Sequence, residues 1–285
     1  MKLLLTGGSG QLGTDVVATV IATGHEIVAP DRSTMDVCDG QTVMAVVGAS
    51  APEVIIHAAA FTAVDQCETE RDLAHELNAI GTRNVVAAAR RVGARVLYIS
   101  TDYVFDGTKT SPYLESDATN PMSVYGATKL AGEVALGEGD TAVRTSWVVG
   151  AHGSNMIKTI LRLAESHPEL SFVSDQRGHP TFTRDLAGML IHLAEVPLPG
   201  IVHATNQGAV SWFEFAQAVL AAAGHDPQRV SPVTTDELKP ARPAPRPMNS
   251  VLDNASLRAS GRPLLGDFRE SLGPVVHQLQ KSARE

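Results

Sequence analysis

Thr6-Gly7-Gly8-Ser9-Gly10-Gln11-Leu12-Gly13 follows the apolar run Lys2 to Leu5 without a break and leads directly into a helical pattern. A short apolar run of this kind reads as a buried strand. The glycines allow a sharp turn in which free N–H groups at a helix start meet an anion. The stretch therefore reads as the phosphate-binding turn of a dinucleotide site. Downstream, Val16, Val17, Val20 and Ile21 recur at helical spacing until Gly24, and Glu26-Ile27-Val28-Ala29 supplies a second strand. The alternation continues with a helix over 43–47, a strand at Val54-Ile55-Ile56, a helix over 79–91 and a strand over 95–99. Alternating strands and helices make a parallel sheet covered on both faces, with ligands at the carboxyl ends of its strands. The expected fold is α/β, with a Rossmann-type doubly wound parallel sheet over residues 1–150. Residues 151–285 form a smaller substrate-binding α/β lid, parts of which can return to the first domain.

Past Gly150 the alternation loosens, with helices expected over 155–166 and 184–195 and a third opening at Ser211, whose spacing to Glu214 is that of a capping box. Trp212 at the start of that helix reads as a core anchor. The segment 239–247 carries four prolines and two arginines and reads as an extended loop.

Composition narrows the functional classes. Of 285 residues, 19% are charged, the net charge is −8, and no run of lysine and arginine could neutralise a nucleic-acid backbone. No apolar stretch approaches a membrane span, and Met1 stands almost on the first strand, leaving no room for a leader. These features predict a soluble, cytoplasmic protein that binds neither nucleic acid nor membrane. Cys38 and Cys67 lack a C-x-x-C spacing. The histidines, His25, His57, His75 and His152 among them, form no H-E-x-x-H or comparable cluster, so no catalytic metal is expected.

Three groups can do chemistry. Asp31, 18 residues beyond Gly13 at the end of the second strand, lies near the roughly 20-residue interval at which a carboxylate reaches the adenosine ribose. A plain turn carboxylate is the competing reading. Arg32 beside it suits a 2′-phosphate, so NADH and NADPH both stay open. Tyr125 and Lys129 fall four residues apart on a helix that Asn120 is expected to cap and Pro121 to begin, which stacks them on one face. An ammonium there favours the ionised phenol and is expected to lower its pKa. Such a pair is common surface decoration. It gains weight because Ser100-Thr101-Asp102 ends the preceding strand, where a hydroxyl can hold a carbonyl oxygen.

Glycine turn, strand-end Ser/Thr and the Tyr125 and Lys129 pair together resemble the extended short-chain dehydrogenases. More narrowly, STDYVFDG at 100–107, YGATKLAGE at 125–133, RTSW at 144–147, DQRGHPT at 175–181 and RPMNSVLD at 246–253 resemble the dTDP-4-dehydrorhamnose reductase family, and these matches span nearly the whole chain. The resemblance implies Gly7, Gly10, Gln11 and Leu12 at the pyrophosphate, Asp31 at the ribose, and Asp36 with Val37 beside the adenine. It implies Ala60, Phe61 and Thr62 along the middle of the cofactor, Ile99 under the nicotinamide and Lys129 on its ribose. Thr101 and Asp102 would touch the sugar, Tyr125 would supply the proton as a catalytic group with Lys129 and Thr101, and Trp147 would pack on the substrate. Arg246 would meet the diphosphate, a solvated loop arginine being the alternative. The implied activity is NAD(P)H-dependent reduction of the C4 ketone of dTDP-4-dehydro-L-rhamnose to dTDP-L-rhamnose by a monomer or homodimer. Some relatives use Mg2+, which this sequence alone does not reveal. The alternatives are another 4-keto nucleotide-sugar reductase, a C4 epimerase of the same class, or a non-catalytic subunit resembling the regulatory subunit of methionine adenosyltransferase.

Overall fold

The computed structural model describes residues 1–282. Six parallel strands form the central sheet: β1 (Lys2–Thr6), β2 (Glu26–Val28), β3 (Val54–His57), β4 (Arg95–Thr101), β5 (Thr141–Thr145) and a sixth, Gly200–His203. Their spatial order is sixth-β5-β4-β3-β1-β2, every neighbouring pair running parallel. The chain goes from β1 to β2 on one side and then returns to β3 on the other. This reversal leaves a crevice at the carboxyl ends of β1 and β3, where a doubly wound sheet binds its ligand.

Successive residues of a strand point to opposite faces. Leu3 and Leu5 of β1, with Ile56 and Leu97, pack under α1 (Gln11–Ala22) and the helix Thr183–Glu195. Leu4, Ile55, Val96 and Tyr98 pack on the other face under α2 (Gly40–Ser50) and the helix Gly81–Val92. Burial on both faces explains why these strands read as unbroken apolar runs. The segment 183–203 lies in the second half of the sequence, yet its helix packs along α1 and its strand closes the edge of the sheet beside β5.

The rest of the second half surrounds its own core of Val149, Ile157, Phe182, Phe215, Leu220 and Phe268. The helices Met156–Ser166, Trp212–Ala222 and Phe268–Ser282 enclose it, with the parallel strand pair Leu170–Val173 and Val230–Val233. Asn155 caps the first of these helices by accepting from the Lys158 N–H, and Ser211 with Glu214 closes a reciprocal capping box on the second. Residues 239–247 contain no regular element.

Two local features depart from the sequence reading. The helix expected over 79–91 is the last part of a longer run, in which Arg71–His75 passes through a π turn at Glu76–Ile80 into Gly81–Val92. A π turn inserts one residue without ending a helix, and here it presents Asn78 to the loop after β3. The helix bearing Tyr125 runs over Val124–Glu133 and is capped by Ser123, whose hydroxyl accepts from the Gly126 N–H. Asn120 instead donates to Asp106 Oδ2 at 3.1 Å, which takes it away from the helix start.

Candidate active site

A cleft of about 710 Å³ opens at the carboxyl ends of β1, β3, β4 and β5. The glycine turn walls one end. Gly7 has φ +74°, a conformation that glycine adopts at little cost, and a Cβ added at Gly13 would overlap the Gly7 carbonyl oxygen. The loop and α1 are therefore closer than any side chain permits. Gly10 precedes α1 with no side chain capping the helix, so the first N–H groups of α1 stay free at the cleft wall beside Gln11 and Leu12. A narrow cradle of unpaired donors with no room for a Cβ fits a pyrophosphate.

Asp31 and Asp36 lie along the rim. Asp31 Oδ1 accepts from the Ser33 hydroxyl at 2.7 Å and the Thr34 N–H at 2.8 Å, and these bonds hold its pKa below the usual range. Arg32 is 72% exposed and reaches Asp36 Oδ2 only at 3.4 Å. Val37 continues this wall. Ala60, Phe61 and Thr62 line the middle, where Asn78 clamps the strip by accepting from the Phe61 N–H at 2.8 Å and donating to its carbonyl at 3.1 Å.

Ile99 and Thr101 of β4, with Asp102, Tyr125 and Lys129, line the far end of the same cleft. Ser100 and Thr101 arrive there because β4 runs on two residues past Ile99. The Thr101 hydroxyl donates to Asp102 Oδ1 at 3.0 Å, whereas Asp102 Oδ2 is buried without a partner. Burial pushes the Asp102 carboxyl up to about 6. Tyr125 meets Tyr103 edge-on, ring centroids 5.6 Å apart.

The expected tuning of Tyr125 by Lys129 takes a different form. Four-residue spacing does bring both to one helix face, but the ammonium lies 4.1 Å from the Tyr98 ring centroid and makes no hydrogen bond to the phenol. Burial pushes the Tyr125 phenol above its ordinary range, with the Thr101 hydroxyl pulling partly back. Burial likewise pushes Lys129 down to about 7, opposed by the Glu133 carboxylate. At neutral pH the phenol is thus a protonated acid rather than a phenolate.

Trp147 lines the cleft in a left-handed backbone conformation, φ +44°, and stacks on Trp212 with centroids 3.6 Å apart and planes 6° from parallel. Trp212 therefore reaches the cleft as well as packing on the second core, which its position at a helix start gave no reason to expect. Tyr103 is a second cleft residue that sequence reasoning missed, although it stands inside the quoted STDYVFDG stretch. Arg246 does not line the cleft. Its two terminal nitrogens grip Asp65, Nη1 to Oδ1 at 2.7 Å and Nη2 to Oδ2 at 2.8 Å. The Ala244 N–H donates to the same carboxylate at 3.2 Å. Among the described residues, no three His, Cys, Asp or Glu side chains gather into a metal-binding group, and no helix is long and apolar enough to cross a membrane.

The family model described as the RmlD substrate binding domain matches residues 1–281. The chain belongs to that family. Among relatives of this RmlD-family chain, a spore coat polysaccharide biosynthesis protein, SpsK, of Bacillus subtilis is 41% identical over 281 residues, covering 97% of each chain. A dTDP-4-dehydrorhamnose reductase of Streptomyces griseus is 41% identical over 280 residues, covering 95% of this chain and 91% of its own. The crystal structure of dTDP-4-dehydrorhamnose reductase from Bacillus anthracis in complex with NADP superposes with a TM-score of 0.92 at 39% identity, covering 96% of this chain and 98% of its own. The RmlD-family match runs through both halves of the molecule, so the second core and the 239–247 segment belong to it as much as the glycine turn does.

Proposed function

We propose that the protein reduces the C4 ketone of dTDP-4-dehydro-L-rhamnose to the alcohol of dTDP-L-rhamnose, with NADPH as reductant. One observation carries the reading: Thr101, Tyr125 and Lys129 line one end of the cleft whose other end is the glycine cradle. The names of the family's relatives supply the sugar.

Gly7, Gly10, Gln11 and Leu12 would hold the pyrophosphate, Asp31, Asp36 and Val37 the adenosine end, Ala60, Phe61 and Thr62 the middle, and Ile99 with Lys129 the nicotinamide end. The nicotinamide, when bound, supplies a hydride. Thr101 steadies the ketone oxygen, and Tyr125 gives its phenolic proton to that oxygen as negative charge develops there. The carbonyl π bond breaks, C4 gains the hydride, and the phenol becomes a phenolate. The Lys129 ammonium then offsets that charge in a site shielded from water. Trp147 offers an aromatic face to the sugar, and the unpartnered Asp102 Oδ2 an acceptor to a sugar hydroxyl. Arg246 would reach a diphosphate only by leaving Asp65. NADPH is favoured over NADH because Arg32 is exposed beside Asp31 and only loosely held, free to meet a 2′-phosphate.

Incubation of the purified protein with dTDP-4-dehydro-L-rhamnose and each reduced nicotinamide tests this. The expected result is loss of NADPH absorbance faster than that of NADH, with dTDP-L-rhamnose identified by NMR. Interconversion of the sugar without nicotinamide consumption would make the protein an epimerase instead.

A further inference from the structure

Beneath the helix that carries Tyr125 and Lys129 lies a buried charged cluster to which the reaction above gives no task. Arg144 donates to Glu133 through two nitrogens, Nε to Oε1 at 2.9 Å and Nη2 to Oε2 at 2.7 Å, and the Ser100 hydroxyl donates to the same Oε1 at 2.5 Å. Both charged side chains are 4% exposed. Arg144 stands on β5 directly opposite Ser100 of β4, with its guanidinium 5.1 Å from the Phe105 ring centroid. A buried ion pair seldom adds stability over apolar side chains of the same volume, so stability alone does not account for this one.

Its place in the fold does. Ser100 immediately precedes Thr101, and Glu133 is one helical turn beyond Lys129, on the same face. The Glu133 carboxylate therefore joins the helix of Tyr125 to the strand of Thr101. It is also the anion that acts on Lys129. Tyr98 of β4 and His57 of β3 face that ammonium as neutral groups, the first because burial raises its pKa and the second because burial, helped by Lys129, lowers its pKa to about 3. On its own helix Tyr125 is neutral for the same reason as Tyr98, and from the π turn Asn78 carries no charge.

We propose that Glu133, fixed by Arg144 and Ser100, is a positioning residue of the reduction, supplying the counter-charge to Lys129 and locking Tyr125 and Thr101 into one geometry. This rests on the reductase reading for the step it serves, whereas its effect on Lys129 can be measured independently of turnover.

The test uses Glu133→Gln, which keeps the shape and an acceptor but removes the charge. In the free protein, the Lys129 side chain is titrated by NMR, its resonance assigned through its loss in Lys129→Arg. The pKa should fall by about one unit or more relative to the unsubstituted protein. Because the reaction uses the ammonium, the alkaline limb of kcat against pH with NADPH and the keto sugar should move to lower pH, with a smaller change in KM for NADPH. The double variant Glu133→Gln/Arg144→Met leaves no unpaired buried charge. It should shift Lys129 in the same direction, and it replaces the single variant if that does not fold. An unchanged Lys129 titration in a folded variant overturns the proposal, as does a kcat profile superimposable on that of the parent. If the parent protein does not reduce the sugar, the reductase reading fails and the Lys129 titration alone decides the role of Glu133.

Discussion

The Lys129 ammonium stands 4.1 Å from the centroid of the Tyr98 ring, and the Tyr98 hydroxyl donates to the Lys129 carbonyl oxygen at 3.2 Å. Tyr98 thus holds one residue of the cleft at both its side chain and its backbone. The aromatic face favours a charged lysine where burial disfavours it, an effect of about 2 kcal/mol in a desolvated site. Tyr98→Phe keeps the ring and loses only the hydroxyl, so it should cost about 1 kcal/mol of stability and leave kcat within a few-fold. Tyr98→Leu removes the ring and leaves a cavity. It should cost roughly 2–4 kcal/mol and lower kcat at pH 8 by about tenfold, as read by urea unfolding and initial rates.

Tyr125→Phe removes the proposed proton donor but keeps the ring against Tyr103. Turnover should fall by about a hundred- to ten-thousand-fold while NADPH affinity stays nearly constant. Stopped-flow reduction and a binding titration separate the two, and undiminished turnover would take Tyr125 out of the mechanism.

Asp102 has a consequence for stability against pH. The ordinary value of an aspartate carboxyl is 3.8, and burial in the fold pushes that of Asp102 up to about 6. Between those values the folded chain binds more protons than the unfolded one, so its contribution is fullest below about pH 4. That contribution is lost as pH rises through about 6. Asp102→Asn removes this titration and should raise Tm at pH 7.5, relative to its own effect at pH 4, by roughly 2–4 °C. Calorimetry at the two pH values checks this, and an equal change at both would show that Asp102 is not held against ionisation.

Asp65 anchors the 242–246 strap through Arg246 and the Ala244 N–H. The two Arg246 contacts are charge-assisted and bidentate, the stronger kind of hydrogen bond. Asp65→Ala should raise amide exchange over residues 242–248 by about tenfold or more, with little change in the sheet. Exchange mass spectrometry is preferable to trypsin here, because Pro243 and Pro247 follow the two arginines of the strap.

Gly13→Ala would drive a methyl group into the Gly7 carbonyl and Gly8. The turn must open for the helix to survive, so NADPH affinity should fall by about a hundredfold or more while the fold persists. Tight binding in this variant would place the pyrophosphate elsewhere.

Four of the six strands of the sheet were legible because they are buried on both faces and read as continuous apolar runs separated by helical spacing. The Ser211 and Glu214 box was legible for a local reason: its two partners lie three residues apart. Asn120 misled because Ser123, which caps the helix, stands closer to Val124, and Asp106, 14 residues back in sequence, claimed the Asn120 side chain. The π turn at Glu76–Ile80 was not legible, since it exists to bring Asn78 to Phe61, 17 residues away.

By itself the sequence determined the alternation of the first 150 residues, the glycine cradle and the helical stacking of Tyr125 with Lys129, all consequences of short-range spacing. Tertiary structure alone decided that the strand Gly200–His203 closes the sheet, that Trp212 joins Trp147 at the cleft, that Arg246 turns to Asp65, and that Lys129 bends over Tyr98. Those outcomes depend on which distant groups share a buried volume. Desolvation and pairing set the charge of a lysine or a tyrosine there, and neither is fixed until the chain has closed around it.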